Sequence, residues 1–296
     1  VLFVLILINS LATALYVILS TKLVRHSGFK VSDVLAGSHV IASVGLAFIV
    51  SADVSAGSMD SSAYWLIGAS VLLKACSKWL YFSALALGDV APLSFMSALI
   101  PLIGAAFAYL FSGQTNSAID IAGIIAAVSL LVFSLRIEHR AARRKSFITD
   151  HRAMSWTIGA LSALANGISA VTLMMAVMRV APPLVSFFNT ALVAFIFMGY
   201  SARPAAQGSR GGIPFLSIFR LPELWLISLF FLLSHLTHTY LFTIAPVGLV
   251  LALERLNVSM QVILAKLILG ENDNFPLRLL CAVAFMGITL LTEVLR

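Results

Sequence analysis

Apolar runs of about 20 residues recur from one end of the chain to the other, each long enough to cross a hydrocarbon core as a helix. The segments between them are short and polar or basic. Inside lipid a spanning segment must satisfy its own backbone, so each run is expected to be an α-helix. Ten spans are predicted, at about 1–20, 33–52, 63–87, 90–111, 118–137, 154–178, 181–200, 223–244, 246–269 and 276–295. Gly88-Asp89 makes a tight turn between the third and fourth, and Pro101 is expected to interrupt the fourth. The loops 53–62 and 201–222 are rich in small, polar and turn-forming residues, and the most basic stretch, 136–152, follows the fifth span. The spans leave no room for a soluble domain.

Composition sharpens this picture. The chain is 60% hydrophobic and only 10% charged, against about 25% charged in a soluble domain, and its mean hydropathy is +1.03. The formal net charge of +7 does not point to nucleic acid, because the basic residues fall mainly in loops between spans. Loops on one side carry most of the 19 basic residues, Arg140, Arg143, Arg144 and Lys145 among them. By the positive-inside rule that side is cytoplasmic, which places both termini opposite. Cys76 and Cys281 lie in spans and read as small core residues rather than as a disulfide framework. The opening run has no basic n-region and no small-residue cleavage site behind it, so it reads as a span and not as a signal peptide.

The informative residues are the polar ones inside the spans. Glu254 and Arg255 sit side by side near the middle of the ninth, and Asn257 and Gln261 follow Glu254 at i+3 and i+7, on one helical face. A charge at that depth costs about 2.5–3.5 kcal/mol on insertion scales, so it faces a bundle interior or a wet cavity. In the third span Lys74, Lys78 and Tyr81 share a face, with Lys74 too deep to reach either surface. Two ammonium groups there need a carboxylate, water or an anionic ligand, and Glu254 is the partner expected by depth. Two readings stand side by side. Either Lys74, Lys78 and Arg255 form a positive cavity, balanced by Glu254, for an anionic or zwitterionic solute, or Lys–Glu and Arg–Glu pairs brace neighbouring helices. His235 and His238 in the eighth span are either proton carriers beside Glu254 or hydrogen-bonded packing groups. As metal ligands they are a weak set, since HLTH lacks the Glu of HExxH. Asn9 in the first span and Asn166 in the sixth either contact solute or bridge helices.

The two halves echo each other. Tyr64-Trp65-Leu66-Ile67 matches Leu224-Trp225-Leu226-Ile227 at a shift of 160, Tyr109 to Gly113 matches Lys266 to Gly270 at a shift of 157, and the second span parallels the seventh at a shift of 150. Repeats with an odd number of spans insert in opposite senses, the plan of secondary transporters that bind solute near midplane between inverted halves. The domains expected are 1–137, a first five-helix repeat; 138–153, a basic connecting loop; and 154–296, a second five-helix repeat. Pro92, Pro101 and Pro246 enter or interrupt the repeat-related fourth and ninth spans, where bending would let a cavity change sides.

Two stretches carry a family likeness: the proline-containing fourth span, Ala91 to Gly113, and the ninth span with its ending Leu267-Ile268-Leu269-Gly270-Glu271. With the five-plus-five pattern they resemble the drug/metabolite transporter superfamily, nearest its EamA-like branch and more distantly the nucleotide-sugar and sugar-phosphate translocators. The chain departs from the pattern at Gly113-Gln114, which lacks the closing Glu. His39 stands where EamA proteins often have an arginine, and Glu254-Arg255 stands where the sugar-phosphate translocators have Lys-Arg. The resemblance implies transport of small metabolites or drugs, and cytoplasmic termini, against the charge bias.

The expectation is an all-α polytopic membrane protein with ten transmembrane helices in a 5+5 inverted repeat. It would act as a secondary active transporter of a small polar metabolite, anionic or zwitterionic, by alternating access, as an exchanger or coupled to protons. Its substrate-binding residues would be Lys74, Lys78, Tyr81, His235, His238, Glu254, Arg255, Asn257, Asn9 and Asn166. One alternative is an exporter of drugs or amino acids. Alternatives from other classes are a non-transporting structural membrane subunit and a metal-dependent membrane enzyme using His235, His238 and Glu254. No GxxxxGK[ST] segment occurs, and no enzymatic activity, cofactor, metal or nucleic-acid partner is expected. The partners expected are a small-molecule solute and the lipid bilayer, with a homodimer compatible. The expected location is the bacterial cell (inner) membrane, or an organelle membrane.

Overall fold

The computed structural model describes residues 2–53, 61–97, 99–112, 149–202, 215–245, 250–251, 253–272 and 274–294, with scattered positions between 122 and 136. Its helices are α1 (Leu2–His26), α2 (Val31–Asp53), α3 (Ser61–Leu87), α4 (Val90–Met96), α5 (Leu99–Ser112), α6 (Thr149–Val177), α7 (Pro182–Ser201), α8 (Pro222–Ile244), α9 (Leu256–Leu269) and α10 (Phe275–Val294). A 3₁₀ turn, Phe215–Arg220, precedes α8. At least six segments are long and apolar enough to cross a membrane. Large apolar side chains cover the outside of the bundle, Trp65 being 82% and Phe48 72% exposed, as a lipid-facing surface requires and a water-facing one does not tolerate over a large patch. Cys76 is on this exposed side, contrary to the core position expected for it, whereas Cys281 is buried.

Most predicted spans meet a helix. The fifth span, scattered positions aside, and the connecting loop as far as residue 148 fall outside the described residues; the last part of that loop, 149–153, is helical and opens α6. α1 runs about two turns past its predicted end and carries Lys22 and Arg25 on its last turns.

The fourth span is broken, though at Ser97 and not at Pro101. The Ser97 hydroxyl turns back to donate to the Ser94 carbonyl at 2.6 Å. Pro101 lies in the first turn of α5, where its missing N–H removes no helical bond. The ninth span is also broken. Glu254 and Arg255 form a turn ahead of α9, so Glu254 does not share a continuous helix with Asn257 and Gln261 as the sequence suggested.

The bundle is built on α1 against α8, α3 against α6 and α2 against α7. In lipid, burying apolar surface does not favour one helix partner over another, so small residues and interhelical hydrogen bonds set the pairing. The α3–α6 pair shows how. Ser77 Oγ donates to the Ser162 carbonyl at 3.0 Å, and Ser162 Oγ returns a bond to the Ser77 carbonyl at 2.9 Å. Two turns away, Ser169 Oγ donates to the Ser70 carbonyl at 3.1 Å, and on the other side Ser155 Oγ donates to the Ala84 carbonyl at 3.0 Å. These contacts recur every seven residues along both helices, in opposite order, and so lock an antiparallel register. Gly167 brings α6 onto α5: a Cβ there would lie 2.6 Å from Ile103 Cγ2.

One end of the bundle is closed by a charged clamp. Gly270 takes φ +72° at the C-cap of α9, the left-handed conformation that glycine adopts without strain. The turn lets the Glu271 N–H donate to the Ala265 carbonyl at 3.2 Å and sends the Glu271 carboxylate across to α4. There it accepts the Val90 N–H with both oxygens at 3.0 Å and pairs with Arg25 at 3.0 Å. Arg25 also donates to the Leu85 and Gly88 carbonyls, and Arg278 reaches Asp89 at 2.9 Å. The Gly-Glu ending noted in the sequence is therefore a device that ties α1, the α3–α4 turn, α9 and α10 together.

Candidate functional site

A cavity of about 160 Å³ lies among α1, α3, α6 and α8 and the two helix breaks. All ten residues expected at the site border it, contributed by five separate segments. Lys74, Lys78, Ser234 and His238 on its wall keep accessible surface.

Glu254 marks one wall. Its Oε1 accepts a hydrogen bond from Asn9 Nδ2 at 2.5 Å and lies 2.5 Å from His238 Nδ1. Asn9 is itself held, its Oδ1 accepting from Ser234 at 3.0 Å and Thr237 at 3.2 Å. The carboxylate thus joins α1, α8 and the break before α9. This differs from the expected Lys74–Glu254 pairing: among the described residues no lysine lies within 4.0 Å of Glu254. The break before α9 explains it, because the turn directs the carboxylate to α1 and α8 while Lys74 reaches toward α6.

The lysines have thin company. Lys74 Nζ contacts Asn166 Oδ1 at 3.4 Å. Lys78 Nζ contacts the Tyr16 hydroxyl at 3.3 Å and sits 3.9 Å above the Phe231 ring centroid and 4.8 Å from that of Tyr16. Cation–π contacts of this kind are strongest where water is excluded. Tyr81 turns its hydroxyl to Gln261 Oε1 at 3.3 Å, which also accepts from Ser94 at 2.5 Å.

Arg255 spans the two breaks. Its Nε donates to the Leu251 carbonyl at 3.0 Å and an Nη donates to the Ser97 carbonyl at 2.6 Å. Carbonyls released where a helix breaks in a bilayer must find donors; Arg255 supplies one to Leu251 and adds a second to Ser97, which also accepts the Ile100 N–H at 3.1 Å. The expected Arg255–Glu254 ion pair is not among the contacts of the described residues; the guanidinium turns to backbone instead.

The histidines part company. His238 contacts Glu254, whereas His235 stacks on Phe231, with ring centroids 5.6 Å apart and planes at 11°. His39, where an arginine was expected from the family likeness, is buried beneath Phe231 and bonded to the Leu35 carbonyl at 2.7 Å; it does not border the cavity. Among the described residues, His235 Nε2, His238 Nε2 and Asn257 Oδ1 are buried with no hydrogen-bond partner.

Sequence reasoning passed over Tyr16 and Phe231, which enclose Lys78, and Ser234, which holds Asn9. A signal existed for each: Tyr16 lies two turns after Asn9, and Phe231 one turn before His235, on the faces already singled out.

Fold and cavity define an all-α, polytopic membrane protein with a polar pocket among its helices. No family model matches the chain, and no curated protein matches it. Among solved structures 28 chains match. One, described only as "Crystal structure of protein", is similar at a TM-score of 0.61 and 17% identity, over 97% of this chain and 98% of that one. At that identity the likeness concerns the fold alone.

Proposed function

We propose that the protein is a secondary active transporter that carries a small anionic or zwitterionic metabolite by alternating access. The observation that carries this reading is the pair Lys74 and Lys78, which border one cavity while Glu254 is held by Asn9 and His238. Ammonium groups inside a bilayer with no carboxylate in contact call for water or an anionic ligand.

The proposed architecture is two five-helix inverted repeats. Three features support it. α5 and α9 both begin and both end 157 positions apart, each directly after a helix break. Helix pairings exchange when the halves are swapped: α1 on α8 answers α3 on α6, and α2 on α8 answers α3 on α7. The two breaks also meet in space through Arg255 and the Ser97 carbonyl. Rocking of the halves about these breaks would expose the cavity to either side in turn.

The His238–Glu254 contact supports proton coupling, since an imidazole and a carboxylate within hydrogen-bond reach share a path for a proton. Uptake into proteoliposomes should then follow an imposed pH gradient. The reading as a whole is tested by assaying Lys74→Ala and Lys78→Ala for solute uptake. Loss of uptake in both is expected, and full activity in both would sink it.

A further inference from the structure

We propose that the cavity selects a compact dicarboxylate, a chain of four or five carbons with a carboxylate at each end. This inference rests on the reading of the cavity as a solute site and narrows it.

The charges come first. Among the described residues Lys74 has only the Asn166 amide oxygen and Lys78 only the Tyr16 hydroxyl as hydrogen-bond partner, at 3.4 and 3.3 Å. Glu254 is engaged by Asn9 and His238. Two positive point charges therefore stand open to a ligand that brings two negative ones. They leave α3 one helical turn apart, and their ammonium groups diverge, Lys74 toward Asn166 on α6 and Lys78 toward Tyr16 on α1 and Phe231 on α8. Two separated charges of this kind suit a short chain with a carboxylate at each end rather than a single anionic centre.

A guanidinium fork meets a carboxylate or a phosphate equally well, either one at a single centre. Arg255, the arginine on the cavity wall, has its Nε and one Nη committed to the Leu251 and Ser97 carbonyls. Two separate ammonium groups match two separate carboxylates.

The helix ends favour the same sign. The turns that open α5 and α9 both border the cavity, through Ile100 and Asn257, and helix N-termini carry partial positive charge. Size favours a small ligand. The cavity is about 160 Å³, close to the roughly 150 Å³ that holds a benzene-sized molecule. Phe231, Phe82 and Leu251 on its wall would cover the methylene chain.

The test is a ligand series against the purified, full-length protein in nanodiscs, read by thermal shift and calorimetry. The panel is malonate, succinate, glutarate and adipate, with butyrate, glycerol phosphate, inorganic phosphate and alanine. Succinate or glutarate should bind most tightly, at least tenfold better than butyrate or glycerol phosphate. Lys74→Gln and Lys78→Gln should each weaken that binding at least tenfold, and the wild-type series alone decides if a variant does not fold. Stronger binding of a phosphate compound, butyrate or alanine, lost in the lysine variants, would overturn the dicarboxylate assignment and leave the solute cavity standing. Binding that ignores both lysine substitutions would overturn both. Failure of every dicarboxylate to bind would overturn the assignment.

Discussion

The bundle contains two charged clusters that obey opposite rules. In the clamp, Glu271 is matched by Arg25 and by the Val90 N–H, and Asp89 by Arg278. Each acid is paired with an arginine, and the cluster joins four segments. In the cavity the two lysines meet an amide, a phenol and aromatic rings, and Asn257 Oδ1 and His238 Nε2 have no partner among the described residues. A cluster that completes itself holds a fold together. One that does not is held in place by the fold, and on the proposed reading its missing partner is the solute. The contrast matters because sequence treats all these residues alike, as charges in or beside apolar spans.

The contrast is open to attack at several points. The largest stability loss should follow Glu271→Gln, which leaves Arg25 and the N-terminus of α4 facing a weaker acceptor. Removing one partner of a buried pair costs about 3–5 kcal/mol; Arg25 is partly exposed, its side chain 23% accessible, so about 2 kcal/mol is expected, read as a lower melting temperature in detergent. Gly167→Ala should cost a similar or slightly smaller amount, about 1–3 kcal/mol as for overpacking, because the new methyl meets Ile103. Gly270→Ala should cost about 1 kcal/mol through backbone strain alone, since nothing lies within 4 Å of the added Cβ. Ser162→Ala removes the bond to the Ser77 carbonyl and the contact with the Ser77 hydroxyl and should cost about 0.6 kcal/mol. Lys78→Met should sit at the far end of the series with no loss of stability, since it replaces a buried charge that lacks a carboxylate. If Lys78→Met destabilised as much as Glu271→Gln, the distinction between clamp and cavity would disappear.

The helices were legible in the sequence because bilayer thickness imposes a length that propensity alone does not. Their interruptions were less so. Pro101 drew attention to the fourth span, but a proline in a first turn breaks nothing, and the break falls at Ser97, whose hydroxyl bonds to the Ser94 carbonyl. The residues that border the cavity were legible because a polar side chain deep in an apolar run has few places to go. Their partners were not: Glu254 was expected to meet Lys74, and the turn ahead of α9 sends it to Asn9 and His238 instead. The serine register between α3 and α6 repeats every seven residues and was readable in principle, yet serine is common enough in spans that the period stands out only once the two helices lie together. The clamp escaped for another reason. Arg25 and Glu271 are 246 positions apart, and only the fold makes them neighbours.

The most direct measurement is counterflow of an anionic solute in proteoliposomes containing wild type, Lys74→Ala, Lys78→Ala or Glu271→Gln. The account predicts that the lysine variants stay folded and lose exchange by at least tenfold, while any loss in Glu271→Gln tracks its lower melting temperature. Undiminished exchange in both lysine variants would contradict it.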